Sequence, residues 1–97
     1  MPRPAYVIGH ITVKDSGRWA DYRNRVPATL APFGAELVFR GARTDVLAGA
    51  HPHPDTVVIR FADRATALAW FRSDAYQALV PLRESAADVD LAVFEAG

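Results

Sequence analysis

His10, Arg40 and Arg60 are the side chains of this sequence best suited to hold or move a proton beside a charged ligand. Each lies in a run of β-branched and aromatic residues, so each belongs to a strand. Alternation along Ala5–Val13 puts Tyr6, Ile8, His10 and Thr12 on one face and Val7, Gly9, Ile11 and Val13 on the other. Arg60 shares a face with Thr56 and Val58, and Arg40 shares one with Val38. Brought together on one sheet face, they would pair an imidazole that shuttles protons near neutral pH with guanidiniums that hold an enolate or carboxylate. The same residues have a plainer use, since interfaces employ Arg and His freely and Glu36 or Asp90 would pair with them. Both readings stand.

Tyr22, Trp70 and Tyr76 are candidates for a stacking wall against such a ligand, and Arg83, seven residues beyond Tyr76, for its rim. Tyr22 also lies on an apolar helical stripe, where core packing is its ordinary use. Trp70 falls off the main stripe of its helix, placed to touch a partner or roof a pocket. For Arg83 the alternative is a solvated surface charge. His51 and His53 form a His-X-His pair on a proline-bearing loop with no third ligand at hand, so no metal site is expected.

A chain of 97 residues makes a single domain, 1–97, and its apolar content of 51% suits a folded globule. With 11 basic against 11 acidic residues, no net field draws nucleic acid or an anionic membrane. The absence of cysteine excludes disulfides, thiolate catalysis and Cys-bound zinc or iron–sulfur clusters. No Gly-rich phosphate loop or nucleophile elbow is present. Met1-Pro2-Arg3-Pro4 runs into a strand without a signal pattern, and no apolar run approaches the ~20 residues of a membrane span. A cytoplasmic protein without cofactor is the expectation.

The elements that must position these residues follow from two hydrophobic periods. Ala5–Val13 reads as the first strand. Asp15 or Ser16 caps a helix whose stripe is Trp19, Tyr22, Val26, Leu30 and Phe33, with a kink or a second short helix at Pro27 and a stop at Gly34. Ala35–Arg40 is the second strand, continued through a kink at Gly41 into Asp45–Ala48 or followed there by a small hairpin. His51–Asp55 is a loop, and Thr56–Phe61 the third strand. Asp63 caps a second helix with the stripe Ala65, Leu68, Phe71, Ala75, Leu79 and Leu82, open to a break near Ser73; Asp90–Glu95 closes the sheet. Right-handed crossovers interleave such β-α-β-β-α-β units into an antiparallel sheet of order 4-1-3-2 with both helices on one face. The other face would leave Tyr6, Ile8, Val38, Val58 and Phe94 in water, a patch large enough to predict a homodimer closed over it.

Tyr6…His10-Ile-Thr-Val, Tyr22…Pro27…Phe33-Gly34, Val38-Phe39-Arg40-Gly41, Val46-Leu47-Ala48-Gly49, Val57-Val-Ile-Arg-Phe61, Ala67-Leu-Ala-Trp70, Ser73…Tyr76 and Asp90-Leu-Ala-Val jointly resemble the domain-of-unknown-function family 1330. The resemblance covers nearly the whole chain. It implies a ferredoxin-like α+β fold assembled as a dimeric α+β barrel, and brings no catalytic residues with it. Ala48 departs from it, standing where the family carries an acidic residue. Haem-degrading barrels of similar fold use an Asn on strand one and a late His, and this chain has His10 there and no histidine after His53. The functional expectation is a small homodimer that binds a small anionic, enolic or quinone-like molecule in one pocket per subunit. There it would run cofactor-free proton transfer or oxygenation, with His10 as acid/base and Arg40 and Arg60 holding the enolate. The alternative is a non-catalytic structural or stress-associated dimerisation module.

Overall fold

β1 (Ala5–Val13) is the strand around which the others assemble. It pairs antiparallel with β3 (Asp55–Phe61) on one side and with β4 (Ala87–Glu95) on the other. β2 (Glu36–Ala42) adds outside β3, giving the order β2-β3-β1-β4, which is the expected order read from the opposite edge. The computed structural model describes residues 3–97; Met1 and Pro2, at the head of the opening segment, lie outside the described residues. Among the described residues no helix is long and apolar enough to cross a membrane.

α1 (Ser16–Leu30) starts at Asp15, whose carboxylate accepts from the Arg18 N–H at 3.0 Å. Pro27 does not restart it. The helix runs through to Leu30, with Pro27 exposed and Val26 and Leu30 packed against the core. A 3₁₀ turn (Ala31–Phe33) then closes on Gly34 at φ 61°, the left-handed conformation that glycine adopts without strain.

The second helical segment is three helices: α2 (Arg64–Arg72), α3 (Asp74–Gln77) and α4 (Val80–Ala86). Asp63 caps α2, accepting from the Thr66 N–H at 2.7 Å, and Ser73 caps α3 at the foreseen break. The buried face differs from the expected stripe. Ala67, Trp70 and Tyr76 are fully buried, whereas Ala65 and Ala75 are exposed. Phe71, Leu79 and Leu82 of that stripe do pack against the core, half-buried, while Ala67 and Trp70, beside the stripe on α2, take its centre.

Trp70 is therefore the centre of the core. It is 1% exposed, 4.3 Å between centroids from Tyr76 and 5.5 Å from Phe61. Its indole N–H donates to Thr29 Oγ1 at 3.0 Å, and the Thr29 hydroxyl donates to the Val26 carbonyl at 2.7 Å. Val7, Ile59 and Phe61 of the sheet join Tyr22, Leu30, Ala67 and Trp70 in one cluster, so the helices cover a single sheet face.

β2 departs from expectation. It continues through Gly41 to Ala42, and the Asp45–Ala48 piece is loop. Its register slips at Val38, between the pairs Leu37–Ile59 and Phe39–Val58. Phe39, not Val38, thus joins Tyr6, Ile8, Val58 and Phe94 on the uncovered face, where Phe39 and Phe94 remain 54% and 51% exposed.

Replacing Trp70 with Phe keeps most of the apolar volume but leaves the buried Thr29 oxygen without its donor. We expect a loss of about 1–3 kcal/mol in urea unfolding. A loss under about 0.3 kcal/mol would show that the indole N–H does not anchor α1 to α2.

Candidate functional site

A concave region lies on each face of the sheet, and the predicted site residues fall on both sides. On the helix side α1 stands off the sheet and leaves a cavity of about 610 Å³, within the range of small-molecule sites. Ile11, Val57, Ile59 and Leu91 form its sheet wall, and Trp19, Tyr22 and Val26 its helix wall, with Trp70 also lining it. Trp19 and Tyr22 are stacked, 5.0 Å between centroids and 25° apart, and so present a flat aromatic surface. Gly9 lies under this region. A Cβ there would come within 3.0 Å of both Val57 and Leu91, two side chains that lean across the glycine from either side.

Behind Tyr22 runs a chain of hydrogen bonds. Arg83 Nη1 donates to Tyr76 Oη at 2.8 Å, and Tyr76 and Tyr22 hydroxyls are 2.8 Å apart. Arginine only donates, so the Tyr76 oxygen accepts from it, and either hydroxyl of the Tyr22–Tyr76 pair can be the donor in the bond between them. Burial, reinforced by Tyr76, pushes the Tyr22 phenol well above the usual tyrosine range, so it is a neutral donor.

Two arginines stand among the cavity's lining residues. Arg40 pairs with Val57 across β2 and β3, which puts it on the helix side, and Arg23 of α1 approaches it. Burial, and secondarily the charge of Arg23, lowers the affinity of Arg40 for its proton. Neither forms an ion pair among the described residues, although Asp55 also lines the cavity.

His10 and Arg60 are on the opposite face. Arg60 donates to Glu36 at 3.1 Å, and His10 Nδ1 lies 3.3 Å from the Thr56 hydroxyl. The expected grouping of His10, Arg60 and Arg40 on one face is therefore corrected: the slip at Val38 turns Arg40 away from the other two. His10 instead borders a hollow of about 200 Å³ with His51, His53 and Asp90. The His-X-His loop folds back here. His53 Nε2 bonds to Asp90 at 2.9 Å and its Nδ1 lies 2.8 Å from the Thr12 hydroxyl, while Arg43 donates to the His51 and His53 carbonyls at 2.8 and 2.9 Å. His51 turns to the Ala48 carbonyl, and no set of three His, Asp or Glu side chains converges as metal ligands among the described residues.

Of the predicted residues, then, Tyr22, Trp70 and Arg40 line the helix-side cavity, Tyr76 and Arg83 support Tyr22 from behind, and His10 and Arg60 face the other way. Arg23 and Trp19 were not singled out from sequence. The available signal was spacing: Arg23 is four residues beyond Trp19 and three before Val26, a cation at the edge of an apolar stripe.

The structure is similar to that of a protein of unknown function from Rhodopseudomonas palustris (TM-score 0.82, 14% identity, all of this chain and 85% of that one). It is also similar to SnoaB, a cofactor-independent oxygenase from Streptomyces nogalater (TM-score 0.72, 9% identity, 98% of this chain and 94% of that one). A third similar structure is a dimeric ferredoxin-like protein of unknown function from Jannaschia sp. CCS1 (TM-score 0.67, 15% identity, 96% of this chain and 99% of that one). At these identities the likeness establishes a ferredoxin-like fold. No curated protein matches the sequence. The family model described as Domain of unknown function (DUF1330) matches residues 4–96, nearly the whole of what has been described, and the chain belongs to that family.

Proposed function

We propose that this chain forms a homodimer through its uncovered sheet face and binds a small enolic or quinone-like molecule in each helix-side cavity. The single observation that carries the binding reading is the cavity itself, apolar on both walls and lined by the buried phenol of Tyr22. A flat ring suits the stacked Trp19–Tyr22 surface. Tyr22 would donate to the ligand's oxygen and stabilise it as charge develops, with Tyr76 and Arg83 holding the phenol in place. Chemistry of this kind needs no resident cofactor. The fold likeness to a cofactor-independent oxygenase is compatible with it and, being a likeness of fold, says nothing of this chain's substrate.

The dimer reading is supported by Tyr6, Ile8, Phe39, Val58 and Phe94 on one uncovered face, and by the dimeric assembly of a similarly folded protein. Two such faces would bury on the order of 1,500 Å² in total. His10 and Arg60, lying on that face, then specify the interface rather than act on the ligand. Their placement also favours the second reading, a dimerisation module without catalysis, in which the cavity holds nothing.

Sedimentation at micromolar concentration is expected to give a dimer, and Phe94→Arg a folded monomer. A monomeric parent protein would refute the assembly. For the cavity, a hydroxynaphthoquinone is expected to quench tryptophan fluorescence saturably, and Tyr22→Phe to weaken it about ten- to a hundredfold. Unchanged affinity in Tyr22→Phe would remove the phenol from the site, and absence of saturable quenching would favour the module.

A further inference from the structure

We infer that Arg23 and Arg40 form an acid-binding subsite at the helix-side cavity, so that its ligand is an aromatic acid held ring inward and acid outward. The inference rests on the cavity reading above and adds the charge and the orientation of what occupies it.

Five of the ten arginines have a side-chain partner among the described residues, while Arg64 and Arg72 on α2, like Arg23 and Arg40, show none. Arg18 and Arg25 hold Asp15 and Asp21 along α1, Arg60 holds Glu36, Arg43 holds two carbonyls and Arg83 holds Tyr76. Arg23 and Arg40 come from different elements, α1 and the edge strand β2, meet at one cavity and hold no carboxylate. Two like charges brought together without a counter-ion are unfavourable, and that cost falls when an anion lies between them. Both side chains are solvent-exposed at the cavity's edge, and an anion between them would offset the repulsion by which Arg23 lowers Arg40's hold on its proton. Asp55, the one acid among the lining residues, pairs with neither.

Orientation follows from the walls. Ile11, Val57, Ile59 and Leu91 offer no partner to a charged group, so a ligand places its ring against them and against Trp19 and Tyr22. Its acidic group then meets two guanidiniums, each able to grip a planar carboxylate or enolate with paired N–H groups. A point charge would serve less well, which predicts that lysine at position 40 restores binding only in part.

The test compares two fluorescent probes of one shape on the full chain: anilinonaphthalene sulfonate, which carries an acid, and N-phenylnaphthylamine, which does not. The parent protein is expected to prefer the sulfonate. The double variant R23Q/R40Q is expected to lose about tenfold or more in sulfonate affinity while binding of the neutral probe changes less than about twofold. R40K should fall between, and R60Q, which removes a cation from the opposite face, should leave the preference intact. Sulfonate preference that survives R23Q/R40Q, or that disappears in R60Q, would overturn the subsite. Failure of the parent protein to bind either probe would overturn the cavity reading and this inference together. Neutral-probe binding without sulfonate preference would overturn the inference alone.

Discussion

Side chains of a strand alternate between two faces, and one extra residue reverses everything beyond it. In this sheet the pairings of β1 with β3 and β4 run without interruption, and the slip at Val38 in β2 is where the alternation breaks. Up to Leu37 the strand keeps the expected parity. Beyond Val38, Phe39 and Gly41 face outward and Arg40 faces the helices. The ring of Phe39 lies over Gly41, where even a methyl would meet it at 2.7 Å, so the glycine lets the displaced strand keep its aromatic against the sheet. Without the slip, Arg40 would join His10 and Arg60, and the cavity would lose one of its two cations.

The helix side combines a dense core with an unfilled region next to it. Trp70 belongs to both, packed on Phe61 and Tyr76 while also lining the cavity. Its bond to Thr29 ties α2 to α1, and the Tyr22–Tyr76–Arg83 chain ties α1 to α3 and α4. Every buried side-chain polar atom among the described residues has a partner. The helix wall is thus held in position by directional bonds as well as by packing, which keeps the cavity open where collapse would otherwise bury more apolar surface.

Strand and helix order was readable from sequence because it depends on local period and capping, and Asp15, Gly34, Asp63 and Ser73 act as their types predict. The face of β1 that carries His10 was readable for the same reason. Four things were not. Proline breaks helices in general, yet α1 continues through Pro27, and the packing of Val26 and Leu30 against the core outweighs the lost donor. The stripe drawn through Ala65, Phe71 and Ala75 leaves out Ala67 and Trp70 and so places Trp70 to touch a partner or roof a pocket; it lines the cavity but is also the centre of the core. The bulge at Val38 has no local signature, since Val38 and Phe39 are both good strand residues, and with it went the placement of Arg40. Arg23 was lost among the charges of α1 because only the tertiary approach of β2 gives it a neighbour.

A crystal structure of the protein soaked with a hydroxynaphthoquinone addresses the central claim most directly. The ring should lie between α1 and the sheet against Trp19 and Tyr22, with its ionised oxygen within hydrogen-bond reach of Arg23 and Arg40. A ring found instead on the outward face beside His10 and Arg60, with the helix-side cavity closed by its own side chains, would contradict it.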